Sequence, residues 1–187
     1  MYGVFKTYKE IPYTNRAIRK NYTDTADTGI DKLCSIDYID TEIGNFILNV
    51  LYTDAPMEVT EPKVATMLAK DGITVANIES NNGGRGFARN VEKQSRIIGN
   101  NETEIKWFHQ SENKEVRIFT RSAEVMNLTY MPEGWETLFP EFHAEIKSFR
   151  KFGKNAHDDG ADALTGTVEK RGEFEYDSYC LLYTSDA

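Results

Sequence analysis

Acidic residues at three separated points of the chain could together bind a divalent metal ion. Asp24 ends one predicted strand, Glu79 ends another, and Asp158 and Asp159 precede a predicted helix. A carboxylate at the end of a buried strand is costly unless it is exposed, paired or bound to a cation. If the two strands are neighbours, Asp24 and Glu79 meet at the sheet edge where α/β proteins bind ligands, and Asp158 or Asp159 completes the group.

A set of carboxylate oxygens is typical of a site for Mg²⁺ or Mn²⁺, which also bind water and phosphate oxygens. Two such ions about 4 Å apart activate a water and stabilise the leaving oxygen when a phosphodiester bond is hydrolysed. We therefore predict that Asp24, Glu79, Asp158 and Asp159 are metal ligands and catalytic residues, with no side-chain nucleophile. The alternative for Asp158 and Asp159 is that acids at a helix start only suit the helix dipole.

Three further residues are candidates for an auxiliary role at this site. Asp27 and Asp31 follow Asp24 in a predicted loop, where acids are also ordinary turn formers. His157 precedes the two helix acids, and it either orients a water or contacts a phosphate, or only neighbours the helix cap.

Basic residues near the acids predict a path for nucleic acid. Arg85 and Arg89 follow a glycine-rich turn at the start of a helix, and Lys114 starts another helix. We predict that these three residues bind DNA phosphates. The alternatives are a tight turn that needs glycine for its positive φ and a solvated helix face.

Other kinds of site are excluded by the motifs that the sequence lacks. The glycine-rich turn has no following Lys-Ser/Thr pair, so this chain has no ATP site of the Walker type. Three scattered histidines and two distant cysteines offer no tetrahedral zinc set. Ser80 lacks the Gly-x-Ser-x-Gly context of a hydrolase nucleophile.

The pattern of apolar residues predicts an α/β fold. The predicted strands cover residues 18–25, 34–39, 45–52, 73–78, 104–108 and 128–130. The first three form an antiparallel meander, and helices separate the others. One helix has Thr60 as its predicted N-cap, a long helix covers residues 134–152, and the last covers residues 157–169. This order predicts a mixed sheet with helices on both faces.

Composition limits the possible classes of protein. A chain of 187 residues with 40% hydrophobic content fits one domain with a sizeable core. The net charge of −8 argues against a protein that coats nucleic acid by bulk charge, but it is compatible with an acidic centre that binds cations. We see no signal peptide or membrane-spanning segment, so we expect a soluble cytoplasmic protein with no membrane partner.

Residues 24–29, 78–90 and 157–164 together resemble the nuclease domain of tailed-phage terminase large subunits. Residues 106–110 and the pair Asn113-Lys114 add to the resemblance, which covers most of Tyr22 to Val168. It implies a ribonuclease-H-like fold and a metal-dependent endonuclease that cuts concatemeric phage DNA during genome packaging.

The resemblance also assigns roles by position. The family's first acid falls on Asp24, its second on Glu79, and its third on Asp158 or Asp159. Asp162, about one helical turn further on, is expected only to support these ligands. The resemblance implies double-stranded DNA as the substrate, the portal and the terminase small subunit as partners, and the cytoplasm of an infected bacterial host as the location.

The family places an ATPase motor before the nuclease. We therefore expect residues 1–17 to be an irregular lead-in from a missing ATPase domain, residues 18–172 to be the nuclease domain, and residues 173–187 to be a tail that is partly a sequencing artefact. Two other hypotheses stay open: a ribonuclease-H-like nuclease for branched DNA or RNA–DNA hybrids, and a non-catalytic packaging module that docks a portal or small-subunit partner.

Overall fold

A seven-stranded mixed sheet forms the centre of the protein. The computed structural model describes residues 1–25, 32–81, 84–150, 155 and 157–172. The strands are β1 Lys6–Tyr8, β2 Ala17–Asp24, β3 Leu33–Thr41, β4 Asn45–Thr53, β5 Val75–Glu79, β6 Glu104–Phe108 and β7 Thr129–Pro132. Across the sheet they follow the order β1-β7-β4-β3-β2-β5-β6.

The strand directions bring two acids to the same end of the sheet. β2, β3 and β4 form the predicted antiparallel meander, whereas β5 lies parallel to β2 on its other side. Thr23 of β2 is opposite Ile78 of β5, so Asp24 and Glu79 follow side by side. The sequence prediction depended on these two strands being neighbours, and that condition is confirmed.

Helices cover both faces of the sheet. They are α1 Met57–Lys70, α2 Gly84–Ile97, α3 Lys114–Leu128, α4 Trp135–Leu138, α5 Pro140–Ser148 and α6 Asp159–Glu169. Successive side chains of a strand point to opposite faces. Accordingly, Ile36 of β3 packs in a core cluster with residues of α3, α5 and α6, while Leu33 packs in a second cluster with residues of α1 and α2. The predicted α/β class with a mixed sheet is confirmed.

Two predicted helices differ from the observed ones. Thr60 is not an N-cap, because α1 already begins after Pro56 and Thr60 is buried in its first turn. The predicted helix at 134–152 is broken into α4 and α5, since Pro140 lacks a backbone N–H and keeps Phe139 out of the helical conformation. None of the helices in the described part of the chain has the length and apolar character that crossing a bilayer requires.

The first residues of the chain belong to the folded unit. The expectation of an irregular lead-in is wrong at β1, which pairs in parallel with β7. Tyr2 and Phe5 are buried in the same core cluster as Ile36. The origin of residues 1–17 in an ATPase domain stays a prediction, and the predicted tail, residues 173–187, lies outside the described residues.

Candidate metal centre

Three buried carboxyl groups converge at the carboxyl ends of β2 and β5. One oxygen from each of Asp24, Glu79 and Asp162 lies within 4.8 Å of the other two. The exposed fractions of these residues are 7%, 4% and 3%, respectively. Because buried carboxylates without compensation are costly, such a group requires positive charge nearby.

The elements that carry the three acids explain why they meet. Asp24 is the last residue of β2 and Glu79 is the last residue of β5, and the two strands are parallel neighbours. Asp162 belongs to the first turn of α6, which is buried from Asp159 to Val168. The amino end of α6 faces the strand ends, and the partial positive charge of a helix amino end favours carboxylates there.

The ammonium group of Lys114 lies among the acids. Its Nζ is 3.2 Å from Asp24, 3.0 Å from Asp158, 2.9 Å from Asp159 and 3.7 Å from Asp162. Lys114 is the first residue of α3, so the start of this helix closes one side of the pocket. The ammonium therefore supplies positive charge where the carboxylates converge.

Arg117 and Tyr22 hold Glu79 from the inner side of the pocket. Arg117 is only 2% exposed, and both of its Nη atoms donate to Oε1 of Glu79 at 3.3 Å. Arg117 also donates to Asp162, and the hydroxyl of Tyr22 donates to the same Oε1 of Glu79. These donors fix the orientation of two of the three converging acids.

The pKa values of two of the acids are raised. Burial is the main reason that the pKa of Asp24 lies well above its usual range; Lys114 lowers this pKa and Glu79 raises it. Burial also raises the pKa of Asp162 to about 7, even though Lys114 and Arg117 lower it. A further cation beside these two acids would offset the cost of burying their charged forms.

The pKa of Lys114 shows the opposite balance. Burial disfavours the charged form of Lys114 and lowers its pKa. The surrounding carboxylates, Asp24 foremost, together raise the pKa by more than burial lowers it, so that the pKa lies above its usual range. The ammonium therefore stays charged, and the pocket keeps this internal positive charge.

Asp158 and Asp159, the predicted third ligand, lie beside the converging group. Asp159 is buried, and its two oxygens accept from Nζ of Lys114 and from the backbone N–H of Lys32, each at 2.9 Å. The side chain of Asp158 is 36% exposed. Their assignment as ligands stays a prediction. Asp162, which was expected only to support them, is the third member of the converging group.

The predicted DNA-binding residues occupy two different places. Lys114 is inside the pocket, whereas Arg85 and Arg89 are exposed on α2. The described residues that line the pocket do not include these two arginines. The guanidinium of Arg85 lies 4.4 Å from the ring centre of Trp107, on the edge strand β6. DNA binding by all three residues stays a prediction.

Of the three auxiliary candidates, only His157 lies within the described residues. His157 is half-buried just before Asp158 and α6. Asp27 and Asp31 lie outside the described residues. An auxiliary role for any of the three stays a prediction.

Sequence reasoning missed the roles of Tyr22 and Arg117, although both had a signal in their spacing. Tyr22 precedes Asp24 by two residues on a strand, so both side chains point to the same face. Arg117 follows Lys114 by three residues on a helix, so both lie on one side of it. A residue that shares a face with a candidate ligand is a candidate partner of the same site.

The pocket fits a divalent cation. It is a cavity of about 200 Å³ whose lining offers carboxylate oxygens together with the side-chain amides of Asn81 and Gln110. Mg²⁺ and Mn²⁺ prefer such oxygen ligands. Acidic groups outnumber the cations Lys114 and Arg117 among the described residues of the pocket, so a divalent ion would also improve the charge balance.

The same fold occurs in the nuclease domains of viral terminases. The structure is similar to a mutant nuclease domain of the large terminase subunit of bacterial virus Sf6, determined with manganese and beta-thujaplicinol. The TM-score is 0.60 at 14% identity, covering 83% of this chain and 90% of that chain. It is also similar to the manganese-soaked human cytomegalovirus terminase nuclease domain, with a TM-score of 0.63 at 8% identity, covering 93% of each chain.

These similarities confirm the ribonuclease-H-like fold predicted from the sequence, and the resemblance to terminase nuclease domains is confirmed at the level of the fold. No protein-family model matches the sequence, and no curated protein is detectably similar to it.

Proposed function

We propose that this chain is the nuclease domain of a viral terminase large subunit and a metal-dependent endonuclease that cuts concatemeric phage DNA during genome packaging. The observation that carries this proposal is the convergence of Asp24, Glu79 and Asp162 within 4.8 Å of one another. Three acids from three separate elements have been brought to one buried point, and a core selected only for stability would avoid such a group. The fold shared with terminase nuclease domains supports the same activity.

The proposed ligands are Asp24, Glu79 and Asp162, with Asp158 and Asp159 as the nearest additional acids. When bound, two Mg²⁺ or Mn²⁺ ions would activate a water molecule and stabilise the leaving oxygen of the phosphodiester. Two ions are proposed because the acids remain in excess after Lys114 and Arg117 have been counted.

The protein's own groups prepare this site. Arg117 and Tyr22 donate to Glu79 and hold its carboxylate toward Asp24. Lys114 screens the repulsion among the acids and keeps them together. A ligand set whose geometry is held by hydrogen bonds binds a metal ion with less reorganisation.

Double-stranded DNA is the proposed substrate. Arg85 and Arg89 are exposed on α2 and would contact its phosphates, with His157 and the loop acids Asp27 and Asp31 in auxiliary roles. We further propose the portal and the terminase small subunit as partners and the cytoplasm of an infected bacterium as the location. The proposed nuclease domain is residues 18–172, to whose sheet β1 adds a strand.

The proposal is tested by the nicking of supercoiled plasmid DNA in Mn²⁺. Asp24→Asn and Glu79→Gln keep the size of each side chain while removing a ligand charge, so both variants should fold. Each variant should nick the plasmid at least about a hundredfold more slowly than the wild type. The reason is that losing a metal ligand removes several kcal/mol of transition-state stabilisation. Glutamine is preferred to alanine at position 79 because Arg117 and Tyr22 need an acceptor there.

Glu92→Gln is a matched control, because Glu92 is a solvent-accessible carboxylate on α2, outside the pocket. Among the described residues, its ion pair is with Arg96, one turn further along the same helix. It should nick at the wild-type rate. Wild-type rates in both pocket variants would contradict the proposal. Comparing the rates at which the wild type cleaves duplex DNA, an RNA–DNA hybrid and a four-way junction identifies the class of substrate. An absence of Mn²⁺ binding in calorimetry would instead favour a non-catalytic packaging module.

A further inference from the structure

The first turn of α6 is held by a side chain from another helix. The first backbone N–H groups of a helix have no partner within the helix, and the N-cap residue usually accepts one of them. The N-cap residue of α6, Asp158, makes no such hydrogen bond. Instead, Oε1 of Glu145, on α5, accepts from the N–H of Gly160 at 2.9 Å and from that of Ala161 at 3.1 Å.

This contact is buried, and the sequence of α6 is adapted to it. Glu145 is 8% exposed although it carries a carboxyl group. A Cβ atom on Gly160 would lie 2.9 Å from Oε1 of Glu145 and 3.1 Å from the ring of Phe142. Glycine at position 160 therefore leaves room for the carboxylate in this position, since a larger residue would displace it.

The held turn is the one that carries the pocket acids of α6. Asp159 is adjacent to Gly160, and Asp162 follows Ala161 directly. The N–H groups bound by Glu145 thus lie between the two acids along the chain. A shift or fraying of this turn would move Asp159 and Asp162 away from Asp24 together.

We infer that Glu145 is a positioning residue, which caps α6 from the neighbouring helix and thereby holds Asp159 and Asp162 toward Asp24 and Glu79. The inference rests on the proposed function for its catalytic consequence. The contact itself does not depend on that function. Glu145 is not among the described residues that line the pocket; its hydrogen bonds go to the backbone of α6.

Two substitutions of Glu145 separate capping from other contributions. Glu145→Gln keeps an oxygen that can accept both N–H groups, and the Mn²⁺ concentration for half-maximal plasmid nicking should stay close to that of the wild type. Glu145→Ala removes the acceptor, and this concentration should rise at least about tenfold, as for other residues that orient metal ligands. Amide hydrogen exchange at Gly160 and Ala161 should speed up in Glu145→Ala but not in Glu145→Gln.

Ile146→Val is the control for a loss of stability alone. Ile146 is the next residue of α5 and is fully buried, so its truncation lowers stability without changing the cap. It should leave the Mn²⁺ dependence unchanged. Should Glu145→Ala fail to fold, Gly160→Ala reports on the same contact with Glu145 intact, and it should raise the required Mn²⁺ concentration in the same way.

Wild-type exchange rates and Mn²⁺ dependence in both Glu145→Ala and Gly160→Ala would overturn the inference. An equal defect in Glu145→Gln and Glu145→Ala would also overturn it, because the glutamine retains the accepting oxygen. A wild-type protein that neither binds Mn²⁺ nor nicks DNA would overturn the proposed function instead. The exchange rates of metal-free variants would still decide whether Glu145 holds the first turn of α6.

Discussion

Individual charged side chains decide how strongly the pocket attracts a cation. Nζ of Lys114 lies 2.9 Å from Asp159 and 3.2 Å from Asp24. It therefore already offsets part of the negative charge of these acids, which would otherwise attract a metal ion. An incoming divalent ion and the ammonium therefore repel each other. In the proposed metal site, the affinity for the ion would depend on the acids after this internal competition.

Replacing Lys114 by methionine should tighten Mn²⁺ binding. A unit charge about 4 Å from a cation costs roughly 1 kcal/mol even with the screening of water, which is about fivefold in affinity for each charge on the ion. The metal-free variant should be less stable, because the acids lose their counterion. Calorimetric titration with Mn²⁺ measures the first effect, and Lys93→Met, at an exposed position on α2, is the control. Unchanged or weaker Mn²⁺ binding would show that Lys114 does not compete with the ion.

A second buried acid makes stability depend on pH. Asp37 of β3 is fully buried, and its Oδ1 accepts from Nδ2 of Asn21 at 2.7 Å. Burial is the first cause that raises its pKa well above the usual range; Asn21 lowers the pKa, and Asp71 raises it. The folded protein therefore keeps a proton on Asp37 at pH values where the unfolded chain has released it. The resulting stabilisation is complete below the ordinary pKa of the carboxyl group and is lost as the pH rises through the raised one.

Asp37→Asn should remove this pH dependence, since asparagine is neutral and keeps the oxygen that accepts from Asn21. The variant should gain stability relative to the wild type at about pH 8, and the gain should shrink at about pH 5. Urea unfolding at the two pH values gives the free energies of unfolding. An equal difference at both pH values would mean that Asp37 titrates in the folded protein as it does in the unfolded chain.

At the scale of elements, α6 determines the geometry of the site. It is buried from Asp159 to Val168 and packs on β2, the strand that carries Asp24. The close approach occurs at Gly166, where a Cβ atom would overlap the ring of Tyr22. Because the hydroxyl of Tyr22 donates to Glu79, the distance between helix and strand is linked to the orientation of a pocket acid.

Gly166→Ala should therefore damage both stability and activity. The added methyl group must move α6 or the ring of Tyr22, and overpacking of this kind costs typically about 1–3 kcal/mol of stability. Displacement of Tyr22 should also slow Mn²⁺-dependent nicking. Gly86→Ala is a matched control in α2, because a Cβ there meets nothing within 4 Å. A Gly166→Ala protein with the urea midpoint and nicking rate of the wild type would contradict the linkage.

At the scale of the whole molecule, the sheet joins the amino end of the chain to the core. β1 extends the sheet beyond β7, and Phe5 just before it is 4% exposed and packs edge-on against Trp135. In the strand order, β1 and β7 lie at one end of the sheet and β5 and β6 lie at the other. Phe5 and β1 should therefore support global stability without shaping the pocket.

Phe5→Ala should lower the free energy of unfolding by about 3–5 kcal/mol, the usual cost of removing a buried aromatic ring. Val4→Ala is the neighbouring control, because Val4 is 85% exposed and should be close to neutral. Urea unfolding measures both variants. Folded Phe5→Ala protein should retain its Mn²⁺ affinity, and equal stability of the two variants would place residues 1–8 outside the cooperative unit.

The sequence alone predicted six of the seven strands that the described residues form, most of the helices, and the positions of Asp24 and Glu79 at the ends of strands. These features depend on side-chain periodicity and turn residues within a few positions of one another, and such patterns can be read locally. The three predicted strands of the meander and the strand at residues 104–108 were recognisable for this reason. The break at Pro140 was also encoded locally, but the apolar pattern on either side of it concealed two separate helices.

Only the tertiary structure decided which acid of α6 joins Asp24 and Glu79, and that Lys114 enters the pocket. Asp158, Asp159 and Asp162 are all acids at a helix start, and the sequence favoured Asp158 or Asp159 as the ligand. Their roles diverge because the packing of α6 against Tyr22 and its cap from Glu145 set the rotation and depth of the helix. Those contacts join residues far apart in the chain, and the free energy that selects them comes from burial across the whole core rather than from local sequence.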